Sequence, residues 1–503
     1  MAVLSHIVAA LQSSPITTAA ISILVLVLIF NRQNIPNIPG PWLAKYTKLW
    51  YLWQMYRADF HLTNVKLHRE QGSIVQIAPG YYSVDDADSL KLIYGHGNQL
   101  VKGTWYSTWN FNPNPEATNL FSERFPAKHS TMRRKVASLY SMTALVSYEP
   151  YVDNCIGIFE AHLAKFSQFG TIMDLAHWLQ CYAFDVIGEI TFGERFGFLD
   201  QGKDIAGLMQ ALNFSFSYAS FVGLFTWLQP ITNPISGLFS RSLFYVQEFT
   251  NQRVLATRQE KVDTSEDGPV YMAKRLIDAQ LNDEKRGITS LDIAITTGSN
   301  VGAGSDTTSL SLASYLFYLY QHPRCLEQVR RELEGLGART RYTFQEVQKL
   351  PYLQATIKES LRMHPGTGYP LWRIVPQGGL MICGQLLPEG SNVGVNSWVA
   401  HRDTTVYGSD ADDYRPERWL EADADRLKAM EHSFMPFGYG ARTCIGKNIS
   451  LLEMNKLIPV LVNGFNFEFL RKDGSMDTRK SLVGRDRWFV KPELLHARVF
   501  KRV

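Results

Sequence analysis

The chain is 503 residues long, with 45% apolar and 19% charged residues, a globular composition that excludes disorder and low complexity. Its 51 basic and 47 acidic residues leave a net charge of +4, and no basic stripe interleaved with aromatics occurs, which argues against a nucleic-acid binder. Five cysteines (Cys155, Cys181, Cys325, Cys383 and Cys444) are scattered, odd in number and without a CxxC pair, so a reducing compartment is expected rather than a disulfide framework or a structural zinc site.

No Lys, Arg, Asp or Glu precedes Arg32, and the run from Ile16 to Phe30 is apolar apart from Thr17, Thr18 and Ser22. Extended back towards Ile7 it reaches about 20 residues, the length of one membrane-spanning helix. Arg32, Lys45 and Lys48 follow it, so the positive-inside bias makes residues 1–31 an anchor and places the remainder in the cytosol. A cleaved secretory signal fits less well, because no basic segment leads the run and no small-residue cleavage site follows Phe30. Pro36, Pro39 and Pro41 predict a stiff, extended hinge over residues 32–46. No later linker or internal repeat occurs, so residues 47–503 are expected to form one catalytic body.

Residues 47–94 mix helical periods with strand-like runs such as Ser73–Ile77, and Met132–Pro351 reads as mainly helical. Short strands and turns are expected after Pro365, at Gly378–Ile382 and Leu387–Gly390, before a last helix from Lys447 to Val462. The expected fold is mainly α with a minor β region. Trp105, Trp109, Phe111, Phe214 and Phe221, with Val301 and Leu371, are candidates to line an apolar ligand pocket, although aromatics at these spacings serve ordinary cores as well.

Four clusters carry possible chemistry before the last helix. His129 and Arg133 stand at i, i+4, on one helix face. Ala303-Gly304-Ser305-Asp306-Thr307-Thr308 lies inside a helical stretch from about Leu291 to Tyr320. Glycine there costs about 1 kcal/mol against alanine, so Gly302 and Gly304 need a reason, such as a groove beside a ligand. No Gly-Lys-Ser/Thr follows, which argues against a phosphate loop. Glu359 and Arg362 pair at i, i+3, and Pro416-Glu417-Arg418-Trp419 offers a further arginine.

The most specific string is Phe437-Gly438-Tyr439-Gly440-Ala441-Arg442-Thr443-Cys444-Ile445-Gly446. A cysteine on a glycine-rich turn that opens a helix faces backbone N–H groups and a positive helix end, both of which favour a thiolate and a lowered pKa. Glycines let the backbone approach a flat cofactor closely.

This string resembles the haem-binding loop of the cytochrome P450 family at every defining position, and the clusters upstream occur in that family's order. The resemblance runs from the hinge to about Val462, and within the family the chain is similar to the fungal pisatin demethylase and benzoate hydroxylase groups. It implies haem b bound through the thiolate of Cys444, with Phe437 and Gly446 in the haem loop and Ala303 and Gly304 beside the haem. Asp306 and Thr307 become a proton relay. Arg133, Arg373 and Arg442 become partners of the haem propionates, with His129 standing where the family usually has tryptophan. Glu359, Arg362 and Arg418 become a buried structural network. The implied activity is insertion of one oxygen atom of O2 into an apolar small molecule; the alternatives are a haem-thiolate isomerase or dehydratase without O2 use, and a non-enzymatic membrane haem protein. Electrons would come from NADPH through NADPH-cytochrome P450 reductase, docked on a basic patch drawn from Lys128, Arg133, Arg134, Lys135 and Lys447. The implied setting is a single-pass protein of the endoplasmic reticulum membrane acting in fungal secondary metabolism.

Overall fold

The computed structural model describes residues 37–97, 100–110, 117–233, 242–259, 270–337, 339–493 and 495–502. The apolar run at 16–30, residues 32–36 of the hinge and Phe111 lie outside these residues. Among the described residues no helix is long and apolar enough to cross a membrane. The described part of the hinge, residues 37–46, lies on the body: Ile38 is buried, and Pro39 O accepts a 2.7 Å hydrogen bond from Gln76 N.

The elements that position the site are α1 (Leu49–Arg57), α2 (Phe60–Gln71), α3 (Pro126–Val136), α4 (Leu175–Phe192), α5 (Leu208–Leu224), α6 (Ser290–Gln321), α7 (Pro351–Met363) and α8 (Lys447–Gly464). With them go strands β1 (Ile74–Ala78), β2 (Tyr81–Val84), β3 (Arg373–Ile374), β4 (Asn392–Val395), β5 (Gly484–Arg487) and β6 (Phe489–Pro492). The architecture is mainly helical with small sheets, as expected. Strands β1, β2, β4 and β3 form one sheet in that spatial order, with β2 and β4 parallel and the other pairs antiparallel.

Helix α6 spans 32 residues, about 48 Å at 1.5 Å per residue, and crosses the molecule. A capping box starts it. Thr289 Oγ1 accepts from Asp292 N, and the Asp292 carboxylate accepts from Thr289 N, which satisfies two donors otherwise left free at a helix start. The helix packs along α4, and Gly304 sets the closeness: a Cβ there would stand 2.9 Å from Ile187 Cγ1. Gly304 therefore permits close helix–helix approach. A Cβ on Gly302 would meet only Leu212, at 3.8 Å.

The antiparallel β5–β6 hairpin turns at Trp488, whose φ of +81° is a strained value for a residue with a side chain. Buried partners hold it there. Its N–H donates to Asp486 Oδ1, and its ring packs 4.7 Å from Trp105 and 5.6 Å from Phe121, centroid to centroid.

Candidate active site

The loop from Phe437 to Cys444 is closed by its own backbone: Cys444 N donates to Phe437 O at 2.8 Å and Thr443 N to Gly440 O at 3.0 Å. Two glycines are required. Gly438 and Gly440 have φ of +76° and +63°, and a Cβ on Gly440 would lie 1.8 Å from Tyr94 O. Gly446 caps α8, so Cys444 sits two residues before the cap, with the N–H groups of Gly446 and Lys447 directed at its sulfur. The thiol pKa differs from expectation. Burial deep in the protein pushes Cys444 up, and the two N–H groups with the Arg133 and Lys447 charges oppose this without overcoming it. Its side chain nonetheless keeps accessible surface. A thiol in this state ionises on meeting a metal cation, whose charge reverses the local balance.

Beside the loop lies a concentration of positive charge. Arg133, Arg373, Arg442 and His129 line one cavity of about 360 Å³. Arg133 Nη1 donates to Thr443 O at 2.8 Å, which ties α3 to the cysteine loop. Arg442 donates to Glu123 O and Arg124 O, both at 2.8 Å. The Arg373 guanidinium lies 4.9 Å over the Tyr94 ring. His129 is neutral, its pKa pushed down to about 3 by burial and then by Arg442, Lys102, Arg133 and Arg373. A neutral imidazole can still donate to a carboxylate.

Lys102, which no motif marked, is buried in the same cluster. Its pKa is held well below the ordinary lysine range by burial and then by Arg442 and Arg373. The carboxylate coupled to these cations, Glu123, already accepts from Thr118 Oγ1 and Phe125 N and pairs with Lys128. Several buried like charges with one committed carboxylate fit a ligand that brings carboxylates of its own. The donor set thus suits an iron porphyrin: a cysteine for the metal, and cations for two propionates.

On α6, Ala303 and Thr307 keep accessible surface, whereas Thr308–Leu319 are all buried. Thr307 Oγ1 donates to Ala303 O at 2.8 Å and so keeps its lone pairs free to accept. Asp306 is arranged differently from the expected relay. Its Oδ2 is 2.6 Å from Lys491 Nζ on β6, and Oδ1 accepts from Gln180 Nε2 on α4. Both oxygens therefore face the α4 and β6 side, since successive helical residues point about 100° apart. Lys491, Gln180 and Asn213 of α5, which accepts from Lys491, left no pattern in the sequence.

Of the aromatic candidates, Trp105 and Trp109 are buried in a cluster that includes Phe121, Phe216, Trp488 and Phe489. Leu371 is partly buried against it. Two candidates fall elsewhere. Phe214 is 44% exposed and stacks on Tyr218 on the outer side of α5, while Phe216, two residues on, turns inward. Val301 is wholly buried on the same α6 face as Ser305, away from Ala303 and Thr307. Phe221 is half-buried under the Arg487 guanidinium, 5.3 Å away.

The Glu359 network is as expected. Arg362 binds both carboxylate oxygens, at 2.9 and 2.7 Å. Arg418 Nε donates to Oε1 at 3.0 Å and Trp419 Nε1 to Oε2 at 2.9 Å. Burial pushes the Glu359 carboxyl up, but Arg362 and Arg418 outweigh it and hold the pKa below the ordinary range. Arg362 also donates to His401 O and Ala411 O, so the pair fastens α7 to the chain ahead of the cysteine loop.

A glycine-rich cysteine loop that opens a helix, a cationic cluster at its side and a buried Glu–Arg–Arg network fit a haem-thiolate site. The cytochrome P450 family model matches residues 39–489. A pisatin demethylase of Fusarium vanettenii is 40% identical over 494 residues, covering 96% of this chain and 92% of that protein. A cytochrome P450 monooxygenase of Aspergillus terreus (strain NIH 2624 / FGSC A1156) is 33% identical over 482 residues, covering 93% and 97%. The chain belongs to the cytochrome P450 family and is a monooxygenase of that family, with the haem-thiolate cofactor the family implies.

Proposed function

We propose that this monooxygenase inserts one oxygen atom of O2 into an apolar small molecule, by hydroxylation or a related oxidation in fungal secondary metabolism. The carrying observation is the joining of the Cys444 loop to a cluster of cations: Arg133 Nη1 donates to Thr443 O, and Arg133, Arg373, Arg442 and His129 line one cavity beside Ala441. The fungal relatives, two of them named for demethylation of pisatin, support the reaction class.

Bound haem would supply oxygen activation, its iron held by Cys444 and its propionates by Arg133, Arg373, Arg442 and His129. The protein's own residues do the rest. Thr307 Oγ1, fixed by Ala303 O, accepts a hydrogen bond in the site and returns a proton from its hydroxyl. Asp306 acts behind it as a carboxylate held by Lys491 and Gln180. The aromatic cluster around Trp105 and Trp488 excludes water and offers an apolar wall.

Electrons come from NADPH through a reductase. Of the proposed docking cations, Arg134 and Lys447 stay exposed, whereas Lys135 pairs with Asp292 at 2.8 Å, Lys128, though exposed, pairs with Glu123 at 3.2 Å, and Arg133 donates to the cysteine loop. Docking therefore rests on Arg134 and Lys447. An N-terminal anchor in the endoplasmic reticulum membrane, with a cytosolic body, is supported by an apolar surface next to the chain's first described residues. Trp42, Leu49, Trp53 and Tyr56 are exposed there, and Lys48 ties them to the end of α5, where Trp227 and Ile231 are exposed as well. Protease treatment of intact membranes tests this, since a protected body would reverse the orientation.

The test of the main reading is the reduced, carbon monoxide difference spectrum. A long-wavelength Soret band that Cys444→Ser abolishes is the expected result. Folded wild-type protein without such a band would end the reading.

A further inference from the structure

We propose that a chain of touching rings, Trp488, Trp105, Tyr369, Tyr51 and Trp372, carries oxidising equivalents away from a peroxide-oxidised haem when no substrate is there to take them. The inference rests on the haem-thiolate reading above.

The chain starts beside the site. Lys102 bridges to Arg373 and Gly103 N donates to Trp372 O at 3.2 Å, so the turn bearing Trp105 leaves the sheet edge next to an arginine that lines the cationic cavity. In the segment that carries Tyr369 and Trp372, Leu371 lies against the cysteine loop: a Cβ on Gly438 would stand 3.7 Å from its Cδ1. From there the rings touch in succession. Trp105 lies 4.7 Å from Trp488 and 6.5 Å from Tyr369, centroid to centroid, and Trp488 lies 6.1 Å from Tyr369. Tyr369 is 6.2 Å from Tyr51, and Tyr51 is 6.4 Å from Trp372. Tyr81 follows at 5.2 Å from Trp372, with the Lys48 ammonium 5.1 Å over its ring. All six rings are buried.

Packing alone would be met by phenylalanine, which fills such space without burying an O–H or N–H group. Indole and phenol are the readily oxidised aromatics, and a phenol gives up its proton with its electron, so a base must stand nearby. Asp486 is that base. Its carboxyl is wholly buried, accepts from His61 N and Trp488 N, both at 3.2 Å, and lies where a Cβ on Gly368, next to Tyr369, would collide with it. Burial and then the Asp486 charge hold the Tyr51 and Tyr369 phenols up, and burial also pushes the Asp486 carboxyl up, which strengthens it as a base. One electron passes from Trp105 to the oxidised haem, Tyr369 refills the indole, and the phenol proton moves to the Asp486 carboxylate. The haem is thereby reduced by one electron and a neutral tyrosyl radical remains. A thiol reductant then returns the electron, and Asp486 returns the proton.

The test mixes substrate-free, haem-loaded ferric enzyme with a peracid, freezes the mixture and records its electron paramagnetic resonance spectrum. Wild-type protein should show a tyrosyl radical. The double variant Tyr51→Phe with Tyr369→Phe keeps both rings and removes both phenols, so that signal should be lost and the Soret band should bleach faster under repeated peroxide. Should the double variant fail to fold, Tyr369→Phe carries the test. An undiminished radical signal in the folded variant would overturn the proposal and leave these rings an ordinary core. Absence of the thiolate band in the carbon monoxide spectrum of wild-type protein would instead sink the haem-thiolate reading, and the proposal with it.

Discussion

Lys491 Nζ lies 2.6 Å from Oδ2 of Asp306, and the two residues come from opposite ends of the site's architecture, the central helix α6 and the hairpin strand β6. The carboxylate is fully buried and the ammonium 28% exposed, so the pair is shielded from water on one side only. Lys491 also reaches Asn213 on α5. The acid of the oxygen motif is thereby joined to two elements whose neighbouring residues, Phe216 and Phe489, pack in the aromatic wall.

Removing the cation should leave Asp306 buried without its charge partner. Lys491→Met is expected to cost about 3 kcal/mol, the low end for breaking a buried pair, because the lysine keeps some solvent contact. The double variant Lys491→Met with Asp306→Asn should recover part of the loss. Urea unfolding of the four proteins measures the coupling, and strict additivity would deny it.

Thr307 should govern coupling more than binding. Thr307→Ala removes the hydroxyl that Ala303 O holds, so NADPH consumption should continue while product falls and hydrogen peroxide rises. Peroxide and product counted against NADPH decide this. A Thr307→Ala enzyme that converts all its electrons to product would exclude Thr307 from the proton path.

Helix packing at Gly304 makes a separate prediction. Gly304→Ala puts a methyl group 2.9 Å from Ile187 Cγ1, and overpacking of this kind costs about 1 to 3 kcal/mol. Ile187→Ala in the same chain should return most of it. If instead Gly304→Ala is neutral for stability and harms only turnover, a groove beside the ligand explains the glycine.

Acid sensitivity follows from buried neutral histidines. His364 is wholly buried, its Nε2 2.8 Å from Val490 O, and burial holds its pKa down to about 3; His68 is likewise pushed down to about 4. The unfolded chain binds protons near pH 6.5, where the folded chain does not, so stability is full above that value. It falls as pH drops from about 6.5 towards the folded values of 3 to 4. Urea midpoints between pH 7 and 4 should decline steadily, and His364→Asn should flatten the decline. An unchanged slope would show that another group carries it.

The parts written in short contiguous strings were legible in the sequence. The cysteine loop, the Glu359–Arg362 pair, the 290–321 helix and the last helix depend on glycine conformations, i, i+3 spacing and apolar periodicity, all local properties. Arg418 and Arg373 could be located only through a family resemblance, because their partners lie 59 residues away for Arg418 and across a sheet edge for Arg373.

Tertiary structure alone decided the rest. Nothing local distinguishes Lys102 or Lys491 from a solvated lysine; each becomes chemical only where folding removes water and brings Arg442 or Asp306 against it. Phe214 and Phe216 are equally apolar, and the winding of α5 sends one outward and the other to Trp109. Gly304 likewise gained its meaning from Ile187 on another helix. The sequence by itself determined the family and the class of chemistry, because a glycine-rich cysteine loop is a local device. Which charges and rings surround that chemistry was decided by packing, because desolvation and contact are properties of distance in space rather than distance along the chain.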